Sequence, residues 1–133
     1  MKQVFVSYAY DDAKVAQELH AKLRDTLVTG WMDQSEIASG AAIAQRVKES
    51  LRRASAIVVL VSERSLKSQW VQFEVGAAFA MDKPIIPILI GQADLEKSLP
   101  DWLQGIAYID ARKRSMQEIA EEVARALSLG GTV

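Results

Sequence analysis

Within the stretch S-Q-W-V-Q-F-E-V-G-A-A-F-A, residues 68–80, the side chain able to do chemistry is the carboxylate of Glu74. Trp70 stands four residues earlier, so on a helix the indole and the carboxylate share one face. A carboxylate beside an indole face can embrace a flat cationic ring, or stabilise the cation that forms when such a ring leaves. If Ser68 caps the helix, Glu74 falls in its second turn, toward the positive dipole end that favours an ionised carboxylate. The same spacing also suits a surface glutamate with Trp70 filling core beneath it. On spacing alone both readings stand.

Other chemistries find little support. The chain has no cysteine, which excludes disulfides and thiolate nucleophiles, and one histidine, His20, on a helical surface where a solvated imidazole is expected. No metal site is predicted. The turn after the first strand, S-Y-A-Y-D-D at 7–12, lacks the glycines a dinucleotide-binding turn needs, and no phosphate-binding P-loop occurs. The third strand ends in Val61-Ser62, without the aspartate a phospho-receiver domain requires. A net charge of −1 argues against a broad footprint for nucleic acid or an anionic membrane. No apolar run approaches the ~20 residues of a membrane helix. A cytoplasmic domain is the expectation.

The elements that must position Glu74 follow from periodicity. Val4–Val6 predicts a strand, and Asp11 and Asp12 open a helical pattern through Val15, Leu19, Leu23 and Leu27. Gly30–Met32 predicts a short second strand, and 34–42 a mobile loop before a helix marked by Ile43, Val47 and Leu51. The run at 56–61 predicts a strand buried on both faces, followed by a polar crossing at 62–67. A strand at 84–90 carries Pro87, which predicts a bend or an edge position. An irregular connection at 94–105, a short strand at 106–109 and a helix at 116–127 complete the chain. The expected division is one domain over 1–128, with 129–133 a disordered end or the start of a linker. Such alternation predicts an open parallel sheet with helices on both faces, with ligands at the carboxyl ends of its strands. The helix of Glu74 starts just beyond one such end.

Taken in order, V-F-V-S-Y at 4–8, W-M-D-Q-S-E-I-A-S-G-A-A-I at 31–43, A-I-V-V-L-V-S at 56–62, S-Q-W-V-Q-F-E at 68–74 and K-P-I-I-P-I-L-I at 83–90 resemble the Toll/interleukin-1 receptor (TIR) domain. The resemblance covers nearly the whole chain. It implies an α/β flavodoxin-like three-layer sandwich with a central five-stranded parallel sheet. Some members of the family are scaffolds that act through TIR–TIR contacts; others cleave NAD+ between nicotinamide and ribose. Carried onto this chain, the resemblance makes Glu74 catalytic and Trp70 part of the pocket wall. Trp31 would stack on nicotinamide, and Ser7, Tyr8 and Ala9 would line the mouth. The loop holding Asp33, Glu36, Ile37, Ser39 and Gly40 would mediate self-association, including as a filament in which one subunit completes its neighbour's site. Two features depart from the family pattern: Ala9 and Tyr10 replace basic residues of some relatives, and Ser39 stands where a proline often precedes Gly40.

The chemistry needs one carboxylate. Nicotinamide leaves neutral from a pyridinium and requires no general acid, unlike the leaving group of an ordinary glycosidase. An ionised Glu74 would stabilise the oxocarbenium-like transition state. Water would then give ADP-ribose, or a hydroxyl of the same molecule a cyclic isomer. The expectation is an NAD+ glycohydrolase or cyclase of bacterial immune or anti-phage type, with NAD+ as substrate and no cofactor. The alternatives are a non-catalytic TIR adaptor and a deoxyribosyltransferase-like enzyme, for which no base-recognition pattern is found.

Overall fold

The computed structural model describes residues 2–24, 26, 28–31, 40–91 and 100–130. In chain order the elements are β1 (Lys2–Ser7), α1 (Ala13–Arg24), β2 (Val28–Trp31), α2 (Gly40–Arg53), β3 (Ala56–Val61), α3 (Glu63–Leu66), α4 (Gln69–Ala80), β4 (Ile85–Leu89), β5 (Ile109–Asp110) and α5 (Met116–Gly130). The five strands form one parallel sheet in the order β2-β1-β3-β4-β5. The fold is therefore the flavodoxin-like α/β sandwich, and its strand order reverses between β1 and β3.

Alternation along β3 builds both cores. Every residue of Ala56–Val61 is buried. Ala56, Val58 and Leu60 join Val4, Val6 and Ile88 beneath Leu19 and Leu23 of α1 and Ile119 and Val123 of α5. Ile57, Val59 and Val61 join Phe5 and Leu89 beneath Val47 and Leu51 of α2 and Val71, Val75 and Ala78 of α4. Successive strand residues point to opposite faces, so an unbroken apolar run is what a doubly covered strand needs.

Several boundaries differ from those expected. The first helix begins at Ala13, after a single 3-10 turn at Tyr10–Asp12 closed by the Asp12 N–H on the Ala9 carbonyl at 2.8 Å. Leu27 and Met32 lie outside the described residues. Gly40 is not in a loop: α2 already begins there, because the alanines that follow favour helix over coil. The polar crossing after β3 contains α3, held by a reciprocal cap in which Ser62 Oγ accepts from Ser65 N–H and Ser65 Oγ from Ser62 N–H. The fifth strand starts at Ile109, later than expected, and α5 runs on to Gly130.

Pro87 does not mark an edge strand. The Ile90 N–H donates to Val61, so even-numbered positions of β4 face β3; the Leu89 carbonyl accepts from Ala111, so odd-numbered ones face β5. The missing N–H of Pro87 thus lies on the β5 side, one residue before pairing there begins at Ile88. No ladder bond is lost. Among the described residues no helix is long and apolar enough to cross a membrane, and no group of three or more His, Cys, Asp or Glu could hold a metal ion.

Candidate functional site

β1 delivers Ser7 to the carboxyl edge of the sheet beside the reversal of strand order. Its side chain shares the face of Phe5, two residues back, and is fully buried. Against that face packs α4, started by Ser68, whose Oγ accepts from the Val71 N–H at 3.2 Å. Counting from this cap places Glu74 in the second turn, on the same side of the helix as Val71, Val75 and Ala78. Glu74 is 1% exposed, and the Ser7 Oγ donates to its Oε1 at 2.8 Å. A strand end and a helix 67 residues apart in sequence meet at that bond.

The water-exposed glutamate that spacing left open is therefore not what the helix carries. Trp70 lies one turn before Glu74, half-buried against the α2–α4 core, with its ring 5.8 Å from that of Phe73. Among the described residues its buried indole Nε1 has no hydrogen-bond partner. Tyr8, by strand alternation, points the other way and packs into the α1–α5 core at 9% exposure. Ala9 is buried at the start of the 3-10 turn. Trp31 ends β2 in register with Phe5, two residues before Ser7. Asp33, Glu36, Ile37 and Ser39 lie outside the described residues, and Gly40 opens α2. The structure thus brings Ser7, Glu74 and the helix of Trp70 together and sends Tyr8 to the opposite layer.

A cleft of about 530 Å³ lies nearby, walled by Asp12, Ser62, Glu63, Arg64, Ile90, Gly91 and Arg112 at the ends of β3, β4 and β5. Glu74 does not line it. The Ser62 Oγ, already accepting from Ser65, donates to Asp12 Oδ2 at 2.5 Å and ties the two walls. Arg112 grips Asp110 through Nε and Nη2 at 2.9 and 2.7 Å and through its backbone N–H at 3.1 Å. That side-chain bond, then the backbone bond, lowers the Asp110 carboxyl to about 2. Residue type and position did not announce these contacts. Parity does distinguish Ser7 from Tyr8, since Ser7 shares the face of Phe5 and Tyr8 that of Val4 and Val6.

The likeness to known proteins agrees with this architecture. A model of the TIR domain matches residues 4–127. The TIR domain of the Toll-related receptor TRR-2 from Hydra magnipapillata superposes with a TM-score of 0.75 at 18% identity, covering 94% of this chain and 97% of that one. A prokaryotic SEFIR domain gives 0.67 at 19% identity, covering 94% and 91%. A 2-desoxiribosyltransferase from Leishmania mexicana gives 0.64 at 18% identity, covering 91% and 98%. At such identities these neighbours show the fold alone. No curated protein matches the chain. With nearly its whole length matched by that one family model, the chain belongs to the TIR domain family.

Proposed function

We propose that the chain cleaves NAD+ at the nicotinamide–ribose bond, with Glu74 as the catalytic residue. The observation that carries this reading is a buried carboxylate at the sheet's carboxyl edge, held by the Ser7 hydroxyl beside the reversal of strand order. Burying a carboxylate costs free energy unless partners compensate, so its place on an otherwise uncharged helix calls for a use. On the same helix Trp70 keeps a buried indole N–H with no partner among the described residues, a donor that a carbonyl group on a ligand would satisfy.

In this reading the scissile C–N bond breaks with its electron pair going to the pyridinium nitrogen, and neutral nicotinamide departs. Ionised Glu74 stabilises the positive charge developing on the ribose. Water adds to the ribose carbon and loses a proton to give ADP-ribose; a hydroxyl of the same molecule would close a cyclic isomer instead. At 1% exposure Glu74 is closed to a substrate in the described conformation, so turnover includes a step that uncovers it. Assembly of several copies, head to tail as a filament, is the step we assign to that role. An immune or anti-phage effector fits such assembly-gated chemistry.

A second reading has its own observation. TIR domains also serve as non-catalytic adaptors that act through TIR–TIR contacts, and a glutamate sealed in the interior suits a structural tie between β1 and α4. Nicotinamide release from NAD+ at high protein concentration, compared between wild type and Glu74→Gln, separates the two. Release that is lost in the variant supports the enzyme; release from neither protein supports the adaptor.

A further inference from the structure

Neither Glu74 nor Trp70 lines the cleft at the ends of β3, β4 and β5. It stands at the carboxyl edge of the sheet, beside the reversal of strand order between β1 and β3, where parallel sheets take ligands. Its volume of about 530 Å³ suits a small organic molecule rather than a single ion. Two of its walls are fixed by bonds within the chain. Ser62, itself buried, exchanges hydrogen bonds with Ser65 and donates to Asp12 Oδ2. Arg112 is held on Asp110 through both its guanidinium and its backbone N–H. Gly91 adds backbone with no side chain to fill the space.

Charge decides what the cleft can take. Asp12 and Glu63 supply two carboxylates and Arg64 and Arg112 two guanidiniums, so the described walls carry both signs in equal number. A bare anion would meet the carboxylates, and a bare cation the guanidiniums. Two groups stand ready for a ligand. Arg64 makes no hydrogen bond among the described residues; its ion pair with Asp11, at 3.5 Å, joins side chains 65% and 59% exposed. Such a pair is worth little, so a ligand phosphate displaces it at small cost and gains charge-assisted bonds. Asp12 uses Oδ2 on Ser62, and among the described residues its Oδ1 accepts from no donor. That oxygen suits a hydroxyl of the ligand. Ser62 links the two groups: it touches Asp12 and caps the short helix that carries Arg64. Donors for a phosphate and an acceptor for a hydroxyl call for one molecule that has both.

We infer that this cleft is a ligand site separate from Glu74, which binds a phosphorylated sugar with its phosphate on Arg64, in the field of Arg112, and a sugar hydroxyl on Asp12. Ile90, also in the wall, offers an apolar contact to the carbon frame of the sugar. The inference does not depend on the NAD+ reading, because Glu74 takes no part in it.

Titration of the isotopically labelled chain with ribose 5-phosphate, followed by amide chemical shifts, tests it, with melting curves as the check on folding. Saturable shifts should centre on Ser62, Arg64, Gly91 and Arg112. Arg64→Glu, a change at an exposed position, should weaken binding by about tenfold or more. Glu74→Gln should bind as wild type does. Ribose and inorganic phosphate should each bind at least about tenfold more weakly than ribose 5-phosphate. Asp12→Asn keeps an oxygen for the Ser62 hydroxyl but turns the other oxygen into a donor, and should close most of the gap between ribose 5-phosphate and inorganic phosphate. No saturable shift at millimolar ribose 5-phosphate, shifts centred on Ser7 and Trp70 instead, or an Arg64→Glu variant that binds like wild type would overturn the inference. Inorganic phosphate binding as tightly as ribose 5-phosphate, or an unchanged gap in Asp12→Asn, would overturn the assignment of a sugar.

Discussion

The Ser7 hydroxyl meets the Glu74 carboxylate at 2.8 Å with both residues shielded from water, joining the end of β1 to the second turn of α4. The bond has two consequences. It offsets part of the cost of burying an oxygen that would otherwise lack this donor, and it orients the group on which the proposed chemistry depends.

Ser7→Ala removes the donor and leaves the acceptor in place. Leaving a buried acceptor without its donor costs about 1–3 kcal/mol. Chemical denaturation should show a lower midpoint of that order, while Ser7→Thr, which keeps the hydroxyl, should recover part of it. On the enzyme reading kcat should fall about tenfold for each ~1.4 kcal/mol of lost orientation, with KM little changed. Unaltered stability in Ser7→Ala would show that the bond holds nothing.

The cap that places Glu74 can be tested without substrate. Ser68→Ala leaves the Val71 N–H without the Ser68 hydroxyl and should destabilise the domain by about 1 kcal/mol. Ser68→Asp should match or exceed wild type, since a carboxylate also accepts that bond and favours the positive helix end. Urea denaturation midpoints with unchanged slopes give the comparison.

A third prediction concerns the C-terminal end of α4. Asp82 holds a positive φ of 56°, and the Lys83 N–H closes the helix on the Ala78 carbonyl at 3.0 Å. Glycine takes that conformation without strain, so Asp82→Gly should raise stability by a few tenths to about 1 kcal/mol, net of the added freedom of the unfolded chain. A fall in melting temperature would contradict this account of the turn.

Acid stability should depend on Asp110. Arg112 lowers its folded pKa to about 2, below an unfolded value of about 3.9. A depressed carboxylate contributes stability that is fully present above the unfolded value and is lost as pH falls through the folded one. Between pH 5 and pH 2, wild type should therefore lose more stability than Asp110→Asn. Glu118, lowered by the backbone and side chain of Ser115, acts in the same direction. Parallel pH profiles for the two proteins would contradict the assignment.

Much of the fold was legible because its sheet is covered on both sides. The run at 56–61 has no polar position at which a register slip or a solvent face could enter, so length and composition identified β3 as an interior strand. The four-residue spacing of Val15, Leu19 and Leu23 marked the buried side of α1 for the same reason. Pro87 misled because a missing N–H says only that a bond is absent on one side; where β5 begins decides whether that matters. Gly40 misled because its looplike composition gives way to alanines that propagate helix. Within the site, the position of Glu74 followed from the Ser68 cap and the 3.6-residue period. Its complete burial did not, because α4 is apolar nearly all round and shows no polar face from which to orient it. Ser7 could be assigned to the edge of the sheet by its place after β1, but only the packing of α4 on the Phe5 face turned it toward Glu74.

NAD+ cleavage by this chain requires that the charge of Glu74 be used. The most direct measurement is single-turnover release of nicotinamide from NAD+ by concentrated wild type and by Glu74→Gln, which keeps the shape and removes the charge. Wild type should release nicotinamide, and the folded variant should release it at least about a hundredfold more slowly. Equal release by the two proteins, or none from wild type at any concentration up to its solubility, would contradict it.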